Sequence, residues 1–334
     1  MTDNAAARPN RLPATNAATQ AADTSPTAAP LATTHHFRSA EALAATLRGG
    51  AVEYVSLTAG AYHATLTVMD LGGLHLQRVE DAPHMARGAV GADRVLLLMP
   101  LPPAGDTRVN GRLVAATDAI LFGPGCDLRA TAAVHLTWGA VSMSHDTAHE
   151  LGIAIPAAGT SRHARSVLSE RPALARGFTA ALAAGHAAGI AAGPPAAAAL
   201  AEDLRRVLGD ALAEPMSWAG GERAVGHHMA TVRRVDAYLE ANLHRPIATE
   251  EIAAALAVSD RALRAAFTAV HGVSLHAYLR LRRLDMVRAQ LLRTPAAPGR
   301  VKAAALSHGF WHLGRFTAAY HARFGEYPSE TLPD

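Results

Sequence analysis

A single cysteine, Cys126, in a chain of 334 residues has no partner for an internal disulfide and cannot by itself build a thiolate metal site. No apolar run approaches the roughly 18 residues of a membrane span. The first 34 residues lack both the charged start and the apolar core of a secretory signal. These absences point to a reducing, cytoplasmic setting with no membrane partner.

Patterns that carry chemistry are also scarce. No Gly-x-Ser-x-Gly elbow, phosphate-binding glycine loop or paired-carboxylate arrangement stands out. His63, His75, His84 and His135 are scattered among strand-like segments, and no His-x-His occurs between Glu53 and Met143. A metal-dependent barrel enzyme would need such a pair, with a carboxylate and another histidine, converging from neighbouring strands. His145 and His149 have the i, i+4 spacing that binds zinc on a helix, but they lack a convincing third ligand. The expectation is therefore no catalytic residue, no metal and no cofactor.

What is present is a large apolar fraction and an uneven distribution of charge. Half of the residues are hydrophobic, enough for two cores at this length. From Thr231 to Asp334 there are 14 Lys+Arg against 9 Asp+Glu, an excess of 14 − 9 = +5, whereas the whole chain carries +3, so the remainder is about −2. The basic surface lies in the C-terminal third, where a polyanion is the natural partner.

Residues 1–34, rich in Ala, Thr, Pro and Asn, hold too little apolar surface to offset the entropy of ordering and read as a disordered tail. Short alternating or β-branched runs follow at Glu53–Leu57, Tyr62–Val68, Leu74–Val79, Arg94–Leu101, Arg108–Val114, Ala119–Phe122 and Val134–Met143. Asn110-Gly111 suits a type I′ hairpin, whose central positions need positive φ. This spacing predicts a sandwich or barrel. Tyr54, Tyr62, Arg78 and Trp138 either line an effector pocket within it or form its core. Helical patterns take over at Ser161–Leu168, Pro172–Ala188, Ala196–Leu212 and Arg223–Leu243, with Gly193-Pro194-Pro195 as a break.

The segment from Thr249 to Phe267 reads as two short helices joined at Ala257-Val258, with Thr249 and Ser259 as caps and Glu250 and Glu251 at the positive end of the first. That is a helix-turn-helix. In the second helix Leu263 and Phe267 face inward, which leaves Asp260, Arg261, Arg264 and Ala265 outside. Two arginines one turn apart can reach guanine edges or phosphates. An ordinary amphipathic helix would show this spacing once. Here it recurs about 53 residues later, where Val301–Phe310 ends in a glycine turn and Phe316 and Tyr320 repeat the inward pair. A long helix, Ser274–Arg293, joins the copies. Two such units on a stiff connector can enter successive major-groove segments.

Ser259-Asp260-Arg261-Ala262-Leu263-Arg264, Gly309-Phe310 followed by Phe316, Phe324-Gly325 and Pro328-Ser329 resemble the signature of the AraC/XylS family over about residues 225–332. The string Phe310–Phe316 is similar to the branch containing the ethanolamine operon regulator. The family resemblance implies a monomeric seven-helix DNA-binding module with recognition helices at about Asp260–Val270 and His312–Arg323. It assigns Arg261, Arg264 and Ala265 to the first reading face, and His312, Leu313, Gly314, Arg315 and Thr317 to the second. Leu313 and Gly314 offer a base edge no hydrogen bond, so the second face is expected to supply phosphate contacts and apolar contact with thymine methyls. One departure is Ala257, where the family commonly has glycine.

The expected fold class is α+β: a disordered tail (1–34), a cupin or jelly-roll-like β-barrel for effector binding or dimerisation (35–150), helical linker and dimerisation helices (151–222), and an all-α double helix-turn-helix (223–332). The expected function is sequence-specific transcription regulation, as an effector-responsive activator of a catabolic operon. Its partners would be double-stranded promoter DNA, RNA polymerase, a small-molecule effector and a second copy of the chain. The alternative is a cupin-type enzyme tethered to DNA by its C-terminal module; a third reading is an architectural DNA protein without sequence preference.

Overall fold

In the computed structural model, residues 31–187, 194–212, 222–242 and 245–333 are described, apart from positions 59, 106, 246 and 294. Residues 1–30 of the expected tail and Gly193 of the expected break lie outside them. The first half is built of β1 (Ala32–Phe37), α1 (Ala40–Thr46), β2 (Gly50–Ser56), β3 (Ala64–Asp70), β4 (Leu74–Asp81), β5 (His84–Val90), β6 (Arg94–Leu101), β7 (Thr107–Val109), β8 (Arg112–Val114), β9 (Ala119–Phe122), β10 (Asp127–Ala132) and β11 (Leu136–Ser144). Then come α2 (His145–Glu150), β12 (Ser161–Ala164), α3 (Val167–Glu170), α4 (Ala173–Ala187) and α5 (Pro194–Leu212). The C-terminal part is helical: α6 (Glu222–Ala241), α7 (Thr249–Ala255), α8 (Asp260–His271), α9 (Leu275–Leu291), α10 (Arg300–Ser307) and α11 (Leu313–Phe324).

The strands form a 7-stranded sheet in the order β1-β3-β4-β11-β6-β9-β12 and a 5-stranded sheet in the order β2-β5-β10-β7-β8. Every ladder is antiparallel. The sheets pack face to face around Tyr54, Leu66, Ile120, Phe122 and Ala140. The result is four layers. On the far side of the larger sheet, Val95, Leu97, Met99, Val141 and Met143 pack against Leu174, Phe178, Leu204 and Leu208 of α4 and α5. On the far side of the smaller sheet, Val55 and Met85 join the core of the C-terminal helices. The apolar run of β6 follows from this arrangement: both of its faces are covered, so neither alternate set can be polar. Gly139 in β11 leaves the room that Phe178 occupies, since a Cβ there would stand 2.9 Å from the ring.

Alternation along the smaller sheet gives its two faces different tasks. Val52, Tyr54, His84, Ala86, Val109, Leu128 and Ala130 line a cavity of about 80 Å³ between the sheets. The residues between them face the C-terminal helices. Arg129 donates to Asp236 of α6 through Nε at 3.1 Å and Nη2 at 2.7 Å. Arg87 pairs with Glu53 at 2.7 Å and Glu240 at 3.2 Å, and Glu53 also accepts from Arg282 of α9 at 3.2 Å. His271, at the end of α8, is enclosed by Phe267 and Tyr278. Burial, with the nearby cations of Arg129 and Arg87, pushes its pKa down to about 3, so the ring stays neutral.

Several elements depart from the expected ones. Among the described residues the strands form two separate sheets rather than a closed barrel. β1 begins at Ala32, inside the segment read as a tail, because β3 offers it a ladder from Ala32↔Met69 to Phe37↔Ala64. Ser161–Leu168 is not one helix: β12 pairs with the open side of β9, and only Val167–Glu170 is helical. Pairing an exposed sheet edge here outweighs local helix preference. α7 is capped by Ala248 without a side-chain bond, so Thr249 is its first residue rather than its cap. Arg108–Val114 is two strands, and Asn110 at φ +47 and Gly111 at φ +78 form the expected hairpin turn.

Candidate nucleic-acid interface

The helices of the C-terminal part form two cores. Leu263 and Phe267 of α8 are fully buried with Val232, Val235 and Ile252, which joins α6 and α7 to α8. Phe316 and Tyr320 of α11 are buried with Leu284, Val287 and Ala304, which joins α9 and α10 to α11. α9 spans both cores, so a single 17-residue helix sets the distance between the pairs. The turns are built differently. Ala257 takes φ +51 between α7 and α8, a strained value for a residue with a Cβ, whereas Gly309 takes φ +80 between α10 and α11 without that penalty.

With the inward faces fixed, the opposite faces are open. Arg261, Arg264 and Ala265 are exposed and Asp260 is half-buried; His312, Gly314 and Arg315 are exposed, while Leu313 and Thr317 are half-buried. Arg264 pairs with Asp260 at 2.7 Å, one turn away on the same helix. The hydrogen bond and charge of Asp260 hold the guanidinium pKa above its usual value. Ser259 caps α8 by accepting from the Ala262 N–H at 3.1 Å. His312 precedes α11 without a side-chain cap, so that helix start keeps unsatisfied N–H groups beside Arg315.

Both helices are fastened at their C-terminal ends to the strand-rich part. Arg108 of β7 donates to the Ala269 carbonyl of α8 at 3.3 Å. The Gly60 N–H donates to the Ala322 carbonyl of α11 at 2.6 Å. Arg323 chelates Asp285 of α9 and also donates to the Ser56 carbonyl at 2.5 Å. The anchored ends thus lie opposite the ends that carry Arg261, Arg264, Gly314 and Arg315. Between the two helix pairs a cleft of about 500 Å³ is bordered by Thr249, Glu250, Arg264, His276, Arg283, Gly309 and Trp311. Arg264 from one pair and Trp311, just ahead of the last helix of the other, therefore open onto the same space. Trp311, which the sequence places at the start of the second helix of that pair but not on its reading face, is exposed between the Gly309 turn and α11.

In the strand-rich part, Tyr54 and Trp138 line the cavity, as do His84 and Arg48. Tyr62 lies beside it and donates to buried Asp81 at 2.5 Å, while Arg78 instead pairs with Glu80 at 2.7 Å. His84 meets Asp81 at 3.1 Å through Nδ1 and stacks on Tyr54 at 4.7 Å. Burial raises the pKa of Asp81 despite these partners. No group of three or more His, Cys, Asp or Glu placed to hold a metal occurs among the described residues. Nor, among these residues, is any helix long and apolar enough to cross a membrane.

A helix-turn-helix domain model matches residues 252–333. XylDLEGF operon transcriptional activator 2 of Pseudomonas putida is 32% identical over 133 residues, which are 40% of this chain and 85% of that protein. XylDLEGF operon transcriptional activator 1 of the same organism is 39% identical over 99 residues, and that match spans 30% of its length and 30% of this chain. Among solved structures, a probable AraC family transcriptional regulator from Rhodopseudomonas palustris CGA009 is 42% identical, covering 31% of this chain and 94% of that one with a TM-score of 0.27.

Proposed function

Because this chain belongs to the AraC/XylS family of DNA-binding transcription regulators, we propose that α8 and α11 are its recognition helices, each the second helix of a helix-turn-helix, entering successive major-groove segments of promoter DNA. One observation carries this reading: each helix is buried along one side and tied down at its C-terminal end, while its arginine-bearing N-terminal half stays open. In α8, Arg261 and Arg264 reach base edges or phosphates, and Asp260 and Ala265 complete that face. In α11, the uncapped N–H groups and Arg315 take a phosphate, with His312, Leu313 and Thr317 against the groove wall.

The test is a selection of bound duplexes from a random pool by the full-length protein. We expect a defined sequence to be enriched, with log affinity falling against log salt at a slope of roughly −5 for about six phosphate contacts. A flat salt response, or enrichment of no sequence, would overturn this reading. The second outcome would leave the architectural alternative.

Gly314 adds a finer expectation. Beyond its chain neighbours and the backbone of its own helix, no atom lies within 4 Å of where its Cβ would sit, so no packing contact requires glycine there. In the first turn of an exposed helix it costs up to about 1 kcal/mol relative to alanine. Close approach of a DNA backbone accounts for it. Gly314→Ala should therefore raise stability in urea melts by about 0.5–1 kcal/mol and yet weaken binding to the selected duplex severalfold. Unchanged binding would show that the helix start stands clear of DNA.

The cavity between the sheets fits a small, mainly apolar effector, with Arg48 and His84 as its polar contacts. The strands that line it carry Glu53, Arg87, Arg108 and Arg129 on their opposite face, against the C-terminal helices. An occupant that shifts this wall thus shifts the hold on α8 directly. The relatives from Pseudomonas putida are operon transcriptional activators, which supports activation for this chain and with it contact to RNA polymerase. The helices between Ser161 and Leu212, among which α4 turns an alanine-rich side outward, are the surface we assign to a homodimer. The ethanolamine-regulator likeness rests on the string Phe310–Phe316 alone.

A further inference from the structure

Among the described residues, Trp311 is the most exposed large apolar side chain, at 72%. It is not on a loose end. Gly309 fixes the turn before it, and its neighbour Phe310 is wedged against Phe316 at 5.1 Å between ring centres, with the Arg283 guanidinium 6.0 Å from its ring. The Trp311 backbone is thus held by the core while its indole stands at the rim of the cleft between the helix pairs. The charged and titratable groups around that rim are Arg264, Arg283, His276, Glu250 and Glu251. Glu251 is engaged by Tyr238 and Arg245 and Arg264 by Asp260, so the rim sets Arg283, His276 and Glu250, with these two paired groups, around one apolar plate.

We propose that Trp311 is a duplex contact: the indole lies against the sugar–phosphate backbone where DNA passes between α8 and α11, with the ring on deoxyribose and Nε1–H donating to a phosphate oxygen. This rests on the assignment of α8 and α11 as recognition helices. The chemistry selects this occupant. A duplex that reaches both helices must cross the cleft, its backbone alternates anionic oxygens with apolar sugar faces, and tryptophan pairs a large apolar body with a single donor. Arg283 at the rim, and Arg264 on exchanging its Asp260 partner for a phosphate, supply the complementary charge. The contact adds affinity without reading a base.

The experiment compares full-length wild type, Trp311→Ala and Trp311→Phe on the duplex selected by the wild type and on a scrambled duplex. Trp311→Ala should bind both about tenfold more weakly or worse, and Trp311→Phe, which keeps a ring but loses the donor, should fall between. The salt slope should stay at the wild-type value, because an uncharged contact displaces no counterions, whereas Arg315→Ala should lower it by about one. Thermal melts should be unchanged, since the side chain is exposed. Equal affinity of Trp311→Ala and wild type would overturn the proposal; so would intact DNA binding with lost activation in reconstituted transcription, which would make the indole a polymerase contact. Failure of the wild type to select any duplex would instead sink the recognition-helix assignment.

Discussion

Asp236→Ala should lose about 3–5 kcal/mol of folding stability, the cost of leaving a buried cation without its partner. Arg129 is only 7% exposed and Asp236 4%, and the carboxylate takes two N–H bonds from the guanidinium, at 3.1 and 2.7 Å. A second arginine, Arg87, at 9% exposure, stands 3.5 Å from the other carboxylate oxygen. Without Asp236, the remaining carboxylate near Arg129 is Asp127 at 3.7 Å, which Arg233 also uses at 3.1 Å. Because Asp236 sits on α6 and the arginines on β5 and β10, the loss should also uncouple the strand-rich part from the helices. Urea unfolding followed by fluorescence and by far-ultraviolet dichroism should then split into two transitions. Glu240, largely exposed, serves as the control: Glu240→Ala should cost at most about 1 kcal/mol. Replacing both partners, Arg129→Met with Asp236→Leu, should recover at least half of the loss, since an apolar pair of similar size carries no desolvation cost. A single-site loss below about 1 kcal/mol would mean that water reaches this junction and that the two parts are not held by it.

That junction also explains which strands could be read from the sequence. β6 and β11 are visible as apolar runs because helices cover one face and the cavity lies on the other. β5 and β10 show no such pattern. Their inward residues include small Ala86 and Ala130, and the intervening positions are Arg87 and Arg129, polar yet buried. Period-two reasoning treats a charged position as solvent-facing, and the carboxylate that reverses this lies 107 residues further along the chain. β1 fails for a related reason: Ala32–Phe37 is mostly polar, and Thr34 and His36 meet Thr67 and Thr65 across the ladder, at 3.1 and 3.2 Å, rather than a core.

The helix pairs were legible because what defines them is local. Leu263 and Phe267, or Phe316 and Tyr320, are one turn apart, and Ser259 caps its own helix. The tethering of those helices was not legible. It depends on Arg108 reaching Ala269, 161 positions away, and Arg323 reaching Ser56, 267 positions away. Local periodicity therefore revealed which side chains face outward, and only tertiary contacts revealed which end of each helix is free.

Arg264→Ala should weaken binding to the selected duplex roughly 5- to 150-fold and change binding to a scrambled duplex far less, as expected for a guanidinium that reads a base. Its partner in the free protein decides how that result is interpreted. In the Arg264–Asp260 pair at 2.7 Å the guanidinium is exposed and the carboxylate half-buried, and a pair this open to solvent contributes little to folding. The variant should therefore melt like wild type, so any binding loss is a loss of contact. Asp260→Ala should act in the opposite sense on the scrambled duplex. It removes a carboxylate that phosphates repel, and general affinity rises. On the selected duplex this gain is offset, because Asp260 no longer holds the guanidinium along the outer face of α8. Both substitutions should thus shrink the ratio of specific to nonspecific affinity, one by losing the specific contact and the other by strengthening nonspecific binding, and that ratio is what a promoter-reading protein depends on. Competition gel shifts with the two duplexes at fixed salt measure it. If Arg264→Ala weakens both duplexes equally and lowers the salt slope by about one, Arg264 holds a phosphate, and base reading on the first helix passes to Arg261.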